Sequence, residues 1–460
     1  MTALPTRAPS RRGALLAVLV VAQSLGVANA SLIAVALPPL SAELGATAAQ
    51  QQWIVDAYVL VLAAGLVLAG ALADRWGSRR LLLAGLGVFS IASLACAITR
   101  SPSVLIALRA VQALGPAMVL PASLSILAAS FPAGRERARA LGVWGGASGL
   151  GVALGPLVGG ALVAAFGWRW AFAFNAPLAV GLLVLAARIV AADRRDRPAH
   201  RIDWAGALLA TGAMAALVFA IIQGPHDGWL SAPVVAVAAL SVALAAAFVV
   251  AERRHPAPLV DLSLLADRVL LAANLAAAAV VFAELGAAIY VSGFLQTYRG
   301  ESPLEAGVGL LPLGIGIAVL AVLGGKLSQR VPARRQLAAG VLLCLLGAVM
   351  LSRAGSGSGP LSLLPGLLVL GAGVGFTLPA GTATVAGVHA SRTGMASAIH
   401  NAARQLGGTL GVAVMGSILV TQSAAGTESA YVGGLQLAML AAAACLGLTT
   451  AGLLVLTRSR

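Results

Sequence analysis

Of the fifteen acidic residues in this 460-residue chain, two stand inside long apolar runs, Asp56 and Glu284. Two arginines, Arg109 and Arg404, do the same. A charge placed at the centre of such a run costs about 2.5–3.5 kcal/mol on membrane-insertion scales, so it is kept mainly where function or a partner compensates. The chemistry open to these groups is proton binding and attraction of charge. Asp56 lies about five residues, some 7 Å, from the end of its run, and Arg109 lies at similar depth with Gln112 one turn further on the same face. Asp56 and Arg109 can form an ion pair there; Asp56 can equally be an interfacial acid that stays hydrated. Glu284 lies about fifteen residues, some 22 Å, into a run of roughly 40 Å, near its middle. It is a candidate proton site, with a cavity-facing acid that attracts cations and a lipid-facing acid as the competing readings.

Other chemistries lack their residues. A phosphate-binding loop needs a lysine followed by Ser or Thr, and Lys326, the one lysine, is followed by Leu327. Any drive must then come from an ion gradient or from a solute's own gradient. Cys96, Cys344 and Cys445 are far apart, and His200, His226, His255, His389 and His400 are equally scattered. No metal-ligand spacing results.

The elements that position these residues follow from composition. Hydrophobic residues make up 60% of the chain and charged residues 10%, against about a quarter charged in soluble domains. Lipid must therefore solvate most of the exterior. With about 20 apolar residues needed to cross a bilayer, spans fall at roughly 14–38, 52–73, 80–99, 103–128, 139–165, 168–190, 204–223, 232–251, 269–296, 304–325, 335–352, 361–386, 396–420 and 432–456. The chain thus reads as an all-α polytopic membrane protein of about fourteen spans. The first run follows Arg7, Arg11 and Arg12 but is too long for a signal-peptide core.

A net charge of +15 does not imply nucleic acid, because the basic residues recur in short groups between apolar runs. Alternate loops and both termini carry 24 of the 30 Lys and Arg, and the opposite side carries Arg100, Arg169, Arg299 and Arg353. By the positive-inside rule both termini are cytoplasmic, in a multi-pass protein of the cytoplasmic membrane. Gly70, Leu72, Arg75, Arg79 and Arg80 recur 255 positions later as Gly325, Leu327, Arg330, Arg334 and Arg335. Either cytoplasmic loops share a bland composition, or two homologous six-helix bundles exist. The second reading divides the chain into residues 1–190, a charged loop with inserted helices 7 and 8 at 191–256, and residues 257–460.

Two motifs are too ordered for connectors. In the loop from Gly70 to Arg80, Gly70 and Gly77 permit close packing and a tight turn. Asp74, among Arg75, Arg79 and Arg80, can latch onto a helix N-terminus or an arginine. This loop resembles the signature G-x-L-a-D-r-x-G-r-[KR] of the major facilitator superfamily. The fifth span carries Gly142, Gly151, Gly155, Pro156, Gly159 and Gly160, where glycines let backbones approach and proline bends the helix. That spacing resembles motif C of the superfamily's drug:proton antiporters. Trp53 to Tyr58, Arg109 to Gln112, Trp168 to Pro177 and Arg404 to Gly408 narrow the resemblance to the fourteen-helix drug:proton antiporter family, over essentially the whole chain.

The resemblance implies two pseudo-symmetric bundles plus two inserted helices. It further implies proton-coupled export of amphipathic drugs or antibiotics by alternating access, with no enzymatic activity and no cofactor. A dedicated exporter or importer of one metabolite is the alternative, and a non-transporting sensor a distant third. One departure stands out: the family's helix 1 acid is replaced by Asn29. The 255-residue offset sets Glu284 opposite Asn29, so the proton site can have moved to the other bundle. Asn29, Gln112, Glu284 and Arg404 are the candidates to line the cavity, and Asp56, Arg109 and Glu284 those for proton coupling. The expected partners are a small-molecule substrate, protons and lipids, without nucleic acid or metal, and the expected state is a monomer.

Overall fold

The computed structural model describes residues 9–132, 135–191, 204–254, 264, 266–328, 330–355, 357–386, 393–423 and 426–457. Among these the protein is helical, with no strand. Its helices are α1 (Pro9–Leu44), α2 (Ala48–Trp76), α3 (Ser78–Ile98), α4 (Pro102–Ser130), α5 (Arg135–Phe166), α6 (Trp168–Ala173), α7 (Asn175–Ile189) and α8 (Trp204–Asp227). There follow α9 (Ala232–Arg254), α10 (Arg268–Thr297), α11 (Pro303–Leu327), α12 (Ala333–Leu351), α13 (Pro360–Ala386), α14 (Thr393–Gln422) and α15 (Glu428–Thr457). Among the described residues, twelve spans are long and apolar enough to cross a membrane, α6 and α7 together counting as one. Two more helices, α2 with 29 residues and α5 with 32, pack among them. Ile91, Val242 and Leu448 are largely exposed, the reverse of a water-soluble surface and the pattern expected against hydrocarbon.

Local chemistry sets the helix ends. Thr47 with Gln50, and Ser302 with Glu305, form reciprocal capping boxes at α2 and α11, satisfying N–H groups that the first turn leaves unpaired. Asp267 accepts from the backbone N–H groups of Val269 and Leu270 at the start of α10. The sixth span, expected over 168–190, runs over 168–189, with only its hydrogen-bond ladder interrupted at Phe174, whose backbone stays helical (φ −62°, ψ −30°), between α6 and α7. Pro177 explains the interruption, because it has no N–H to offer the carbonyl one turn back.

Helix packing repeats along the chain. α1 packs on α5, α2 on α4, and α3 on α4 and α7; likewise α10 packs on α14, α11 on α13, and α12 on α13 and α15. Two seams join the sets, α5 against α11 and α2 against α14, with α1 against α10 between them. α8 leans on both α2 and α14, and α9 packs on α8. At one face Glu43 accepts from Trp168 Nε1 (2.7 Å) and pairs with Arg169, which also donates to Thr99 O. Arg299 pairs with Glu428 at that face too (3.7 Å). At the other, Arg12 pairs with Glu136 across α1 and α5 (3.1 Å).

Candidate central cavity and buried polar network

A cavity of about 1050 Å3, counting the space open to solvent, lies between α1, α2 and α4 on one side and α10, α11, α13 and α14 on the other. Its two walls differ. The first is mostly apolar, Gly26, Ala30, Val59, Leu62 and Leu120 among its residues, with Gln23 and Ser31 its polar members. The second carries Glu284 from α10 and Asn401, Arg404 and Gln405 from α14. No aromatic side chain lines the cavity among the described residues. Glu284 and Arg404 act on one another electrostatically, yet no ion pair within 4.0 Å joins them among the described residues. Nε of Arg404 is buried with no hydrogen-bond partner. The lipid-facing reading of Glu284 therefore fails, and of the four residues expected to line the cavity Glu284 and Arg404 do so, from helices about 120 positions apart.

Asn29 and Gln112 do not line this cavity. They are buried on the far side of α1, in a network closed by α3, α4 and α7. Gln112 donates to Ser93 Oγ (2.7 Å) and accepts from Arg109 Nη1 (2.7 Å), and Asn175 Nδ2 donates to Asn29 Oδ1 (2.9 Å). Asn29 and Gln112 also meet at 3.4 Å. The 255-residue offset thus puts Asn29 and Glu284 at positions that face different spaces. Ser93 and Asn175 were not singled out as site residues, although both are polar groups in apolar runs, the signal that marked Asp56 and Glu284.

The ion pair between Asp56 and Arg109 does not form. Arg109 Nε donates to Ile54 O (3.1 Å), and its guanidinium lies 4.2 Å from the Tyr58 ring centre and 5.8 Å from that of Phe172. Residues 54 and 58 share one face of α2, whereas position 56 is about 200° from 54. Asp56 consequently faces away, toward the seam with α10 and α14, where its charge acts on Tyr290. It is fully buried rather than hydrated, and neither carboxyl oxygen has a hydrogen-bond partner. One turn earlier, Gln52 Nε2 donates across the seam to Ala413 O (3.1 Å).

Glycines set how closely the helices approach. A Cβ on Gly151 would lie 2.9 Å from Ser24 O, one on Gly155 2.6 Å from Ala28 O, and one on Gly159 2.6 Å from Leu32 Cγ, all on α1. Ser31 Oγ donates to Gly151 O across the same contact (3.2 Å). Gly160 faces α11, where its Cβ would lie 2.5 Å from Pro303 O, and Gly307 of α11 packs against Pro156. Gly407 and Gly411 of α14 approach Ala278 and Phe282 of α10 in the same manner, so the Arg404–Gly408 stretch contributes both a cavity charge and a packing surface.

In the loop after α2, Gly77 has φ +93°, a conformation open to glycine. Among the described residues Gly70 makes no close packing contact: a Cβ there meets nothing within 4 Å, and the same holds at its repeat mate Gly325. Arg79 donates to Val190 O (3.1 Å) and Ala187 O (2.7 Å) at the end of α7, where carbonyls lack partners and the helix dipole favours a cation. Arg80 is exposed. Asp74, Arg75 and Gly142 are helical, and their side-chain surroundings lie outside the described residues.

Comparison with known proteins agrees with this architecture. The chain is 37% identical over 401 residues to the multidrug resistance protein Stp of Mycobacterium tuberculosis, covering 87% of this chain and 74% of that one. It is 36% identical over 403 residues to the methylenomycin A resistance protein of Streptomyces coelicolor, covering 86% and 83%. The puromycin resistance protein pur8 of Streptomyces alboniger is 34% identical over 415 residues, covering 89% and 82%. Among solved structures, a peptide transporter POT in complex with sulfate superposes with TM-score 0.70 at 19% identity, covering 98% of this chain and 97% of that one. An inward-facing, occupied bacterial homologue of the lysosomal transporter Spinster gives TM-score 0.70 at 17% identity, covering 98% of both. The family model described as Major Facilitator Superfamily matches residues 16–412, and the chain belongs to that superfamily of membrane transporters.

Proposed function

We propose that the protein exports amphipathic drugs or antibiotics across the cytoplasmic membrane in exchange for protons. The observation that carries this reading is the two-walled central cavity, set in a chain whose relatives are named for resistance to multiple drugs, methylenomycin A and puromycin. In the proposed arrangement fourteen spans form two six-helix bundles, residues 1–190 and 257–460, and α8 and α9 are an inserted pair. Arginine-rich loops and both termini are cytoplasmic. The contacts named at the two seams, Gln52 with Ala413 and Pro156 with Gly307, then lie in the outer half of the membrane. The cavity lies toward the cytoplasm, ready to admit substrate from the cell.

Glu284 is the proposed proton carrier, in the substrate cavity itself, and Asp56 a second ionisable group at the outer seam. The glycines of α5 hold α1 and α11 close enough to seal that side, and Arg79 ties the α2–α3 loop to α7. The protein acts without a cofactor and as a monomer. The test is a drug-susceptibility panel in an efflux-deficient host, with and without an uncoupler, followed by flux in proteoliposomes. Resistance abolished by the uncoupler, and flux that follows an imposed pH step, are the expected results; ATP-driven flux with no gradient overturns the proposal.

A further inference from the structure

We infer that the cavity selects amphiphiles that carry a hydrogen-bond donor or cation and an acceptor or anion on one edge, zwitterions foremost, over lipophilic monocations. This rests on the exporter reading above and names its substrate class. Glu284 and Arg404 face the same cavity, on the same wall, and neither makes an ion pair or a side-chain hydrogen bond among the described residues. A carboxylate and a guanidinium held apart over an apolar slab leave a gap that a ligand bearing complementary groups can bridge. Arg404 offers several N–H donors in a fixed plane, one of them, Nε, buried and without an acceptor among the described residues. Leaving such groups unmatched is costly, so a ligand that satisfies both is favoured over one that satisfies neither.

Single-charge ligands fare worse at this wall. A monocation that reaches Glu284 must also approach Arg404, and an anion on Arg404 must approach Glu284; each meets one like charge. A lipophilic cation gains from aromatic faces, and none lines the cavity among the described residues. The opposite wall, from Gly26 on α1 to Leu120 on α4, is an apolar surface for the body of the molecule. Asn401 and Gln405, one turn apart around Arg404 on α14, add amide groups to the same edge.

The full-length protein in detergent and in proteoliposomes is tested with norfloxacin as the zwitterion, tetraphenylphosphonium as the monocation and 8-anilinonaphthalene-1-sulfonate as the anion. Wild-type protein is expected to bind norfloxacin at least tenfold more tightly than either singly charged probe. Arg404→Gln should erase that preference by weakening norfloxacin about tenfold and strengthening tetraphenylphosphonium; Glu284→Gln should weaken norfloxacin and strengthen the anion. Thermal midpoints and monodispersity check that each variant folds, and Arg404→Lys should recover part of the norfloxacin affinity. Should the neutral variants fail to fold, the wild-type ranking decides alone. Tighter binding of tetraphenylphosphonium than of norfloxacin, or a ranking unchanged in both folded neutral variants, overturns the inference. Its failure is separable from failure of the exporter reading: flux of tetraphenylphosphonium without norfloxacin preference keeps the exporter and removes the zwitterion site. The expected binding pattern without flux of any probe does the opposite.

Discussion

Replacement of Gly155 by leucine tests whether the contact of α5 with α1 is what the transporter's cycle depends on. The first added carbon would lie 2.6 Å from Ala28 O and would overlap Ser31 Oγ. Ordinary contact distances are about 3.5 Å, so the helices must part by roughly 0.9 Å before the rest of the side chain is considered. Ser31 then loses its 3.2 Å bond to Gly151 O. Moving α5 the other way offers no relief, since Gly160 already stands against Pro303 and Leu304 of α11. Overpacking of this kind costs about 1–3 kcal/mol, equivalent to about 5- to 150-fold in the population of any state that needs the two helices in contact. Gly181→Leu is the control, because a Cβ there meets nothing within 4 Å. Substrate flux in proteoliposomes, normalised to inserted protein, together with the thermal midpoint, is the assay. Gly155→Leu should insert but fail to transport, while Gly181→Leu matches wild type. Full flux and an unchanged midpoint in Gly155→Leu would refute the packing argument.

Gly77→Ala should destabilise the protein by about 1–3 kcal/mol, because its backbone (φ 93°, ψ 141°) lies in a region open essentially to glycine alone, whereas Gly70→Ala, which meets no neighbour among the described residues, should be silent; thermal midpoints distinguish them. Asp56→Asn removes no hydrogen bond, since neither carboxyl oxygen has a partner, so stability should not fall by more than about 1 kcal/mol and the midpoint should stay close to that of wild type. If Asp56 takes part in coupling, flux should be lost all the same, and a large drop in midpoint would instead reveal a structural role. Glu284→Gln should eliminate uphill, proton-driven export of a neutral substrate while sparing its downhill exchange. A mutant that still concentrates substrate against its gradient removes Glu284 as the proton carrier.

The apolar runs, their lengths and the alternation of arginines were enough to establish a multi-pass helical membrane protein, because lipid imposes a simple rule of about 20 apolar residues per span on any chain that crosses it. The superfamily was legible too. Its signature residues are spaced along one loop or one helix, as those around Gly77 and Gly155 are, so the pattern survives in one dimension although Gly155 acts against α1. Which way a buried side chain faces is another matter. Asp56 and Arg109 looked like partners by depth, yet Ile54 and Tyr58 take the arginine and turn the acid to the other side of α2. Asn29 seemed the mirror of Glu284 by offset, yet one belongs to a closed network and the other to the cavity. Glu284 and Arg404 were both legible as cavity candidates, but their place on one wall follows only from the packing of α14 against α10. A membrane helix that is apolar all round leaves no amphipathic stripe from which to read its rotation, and contacts between distant helices decide that rotation, through glycines that let some faces touch and side chains that hold others apart.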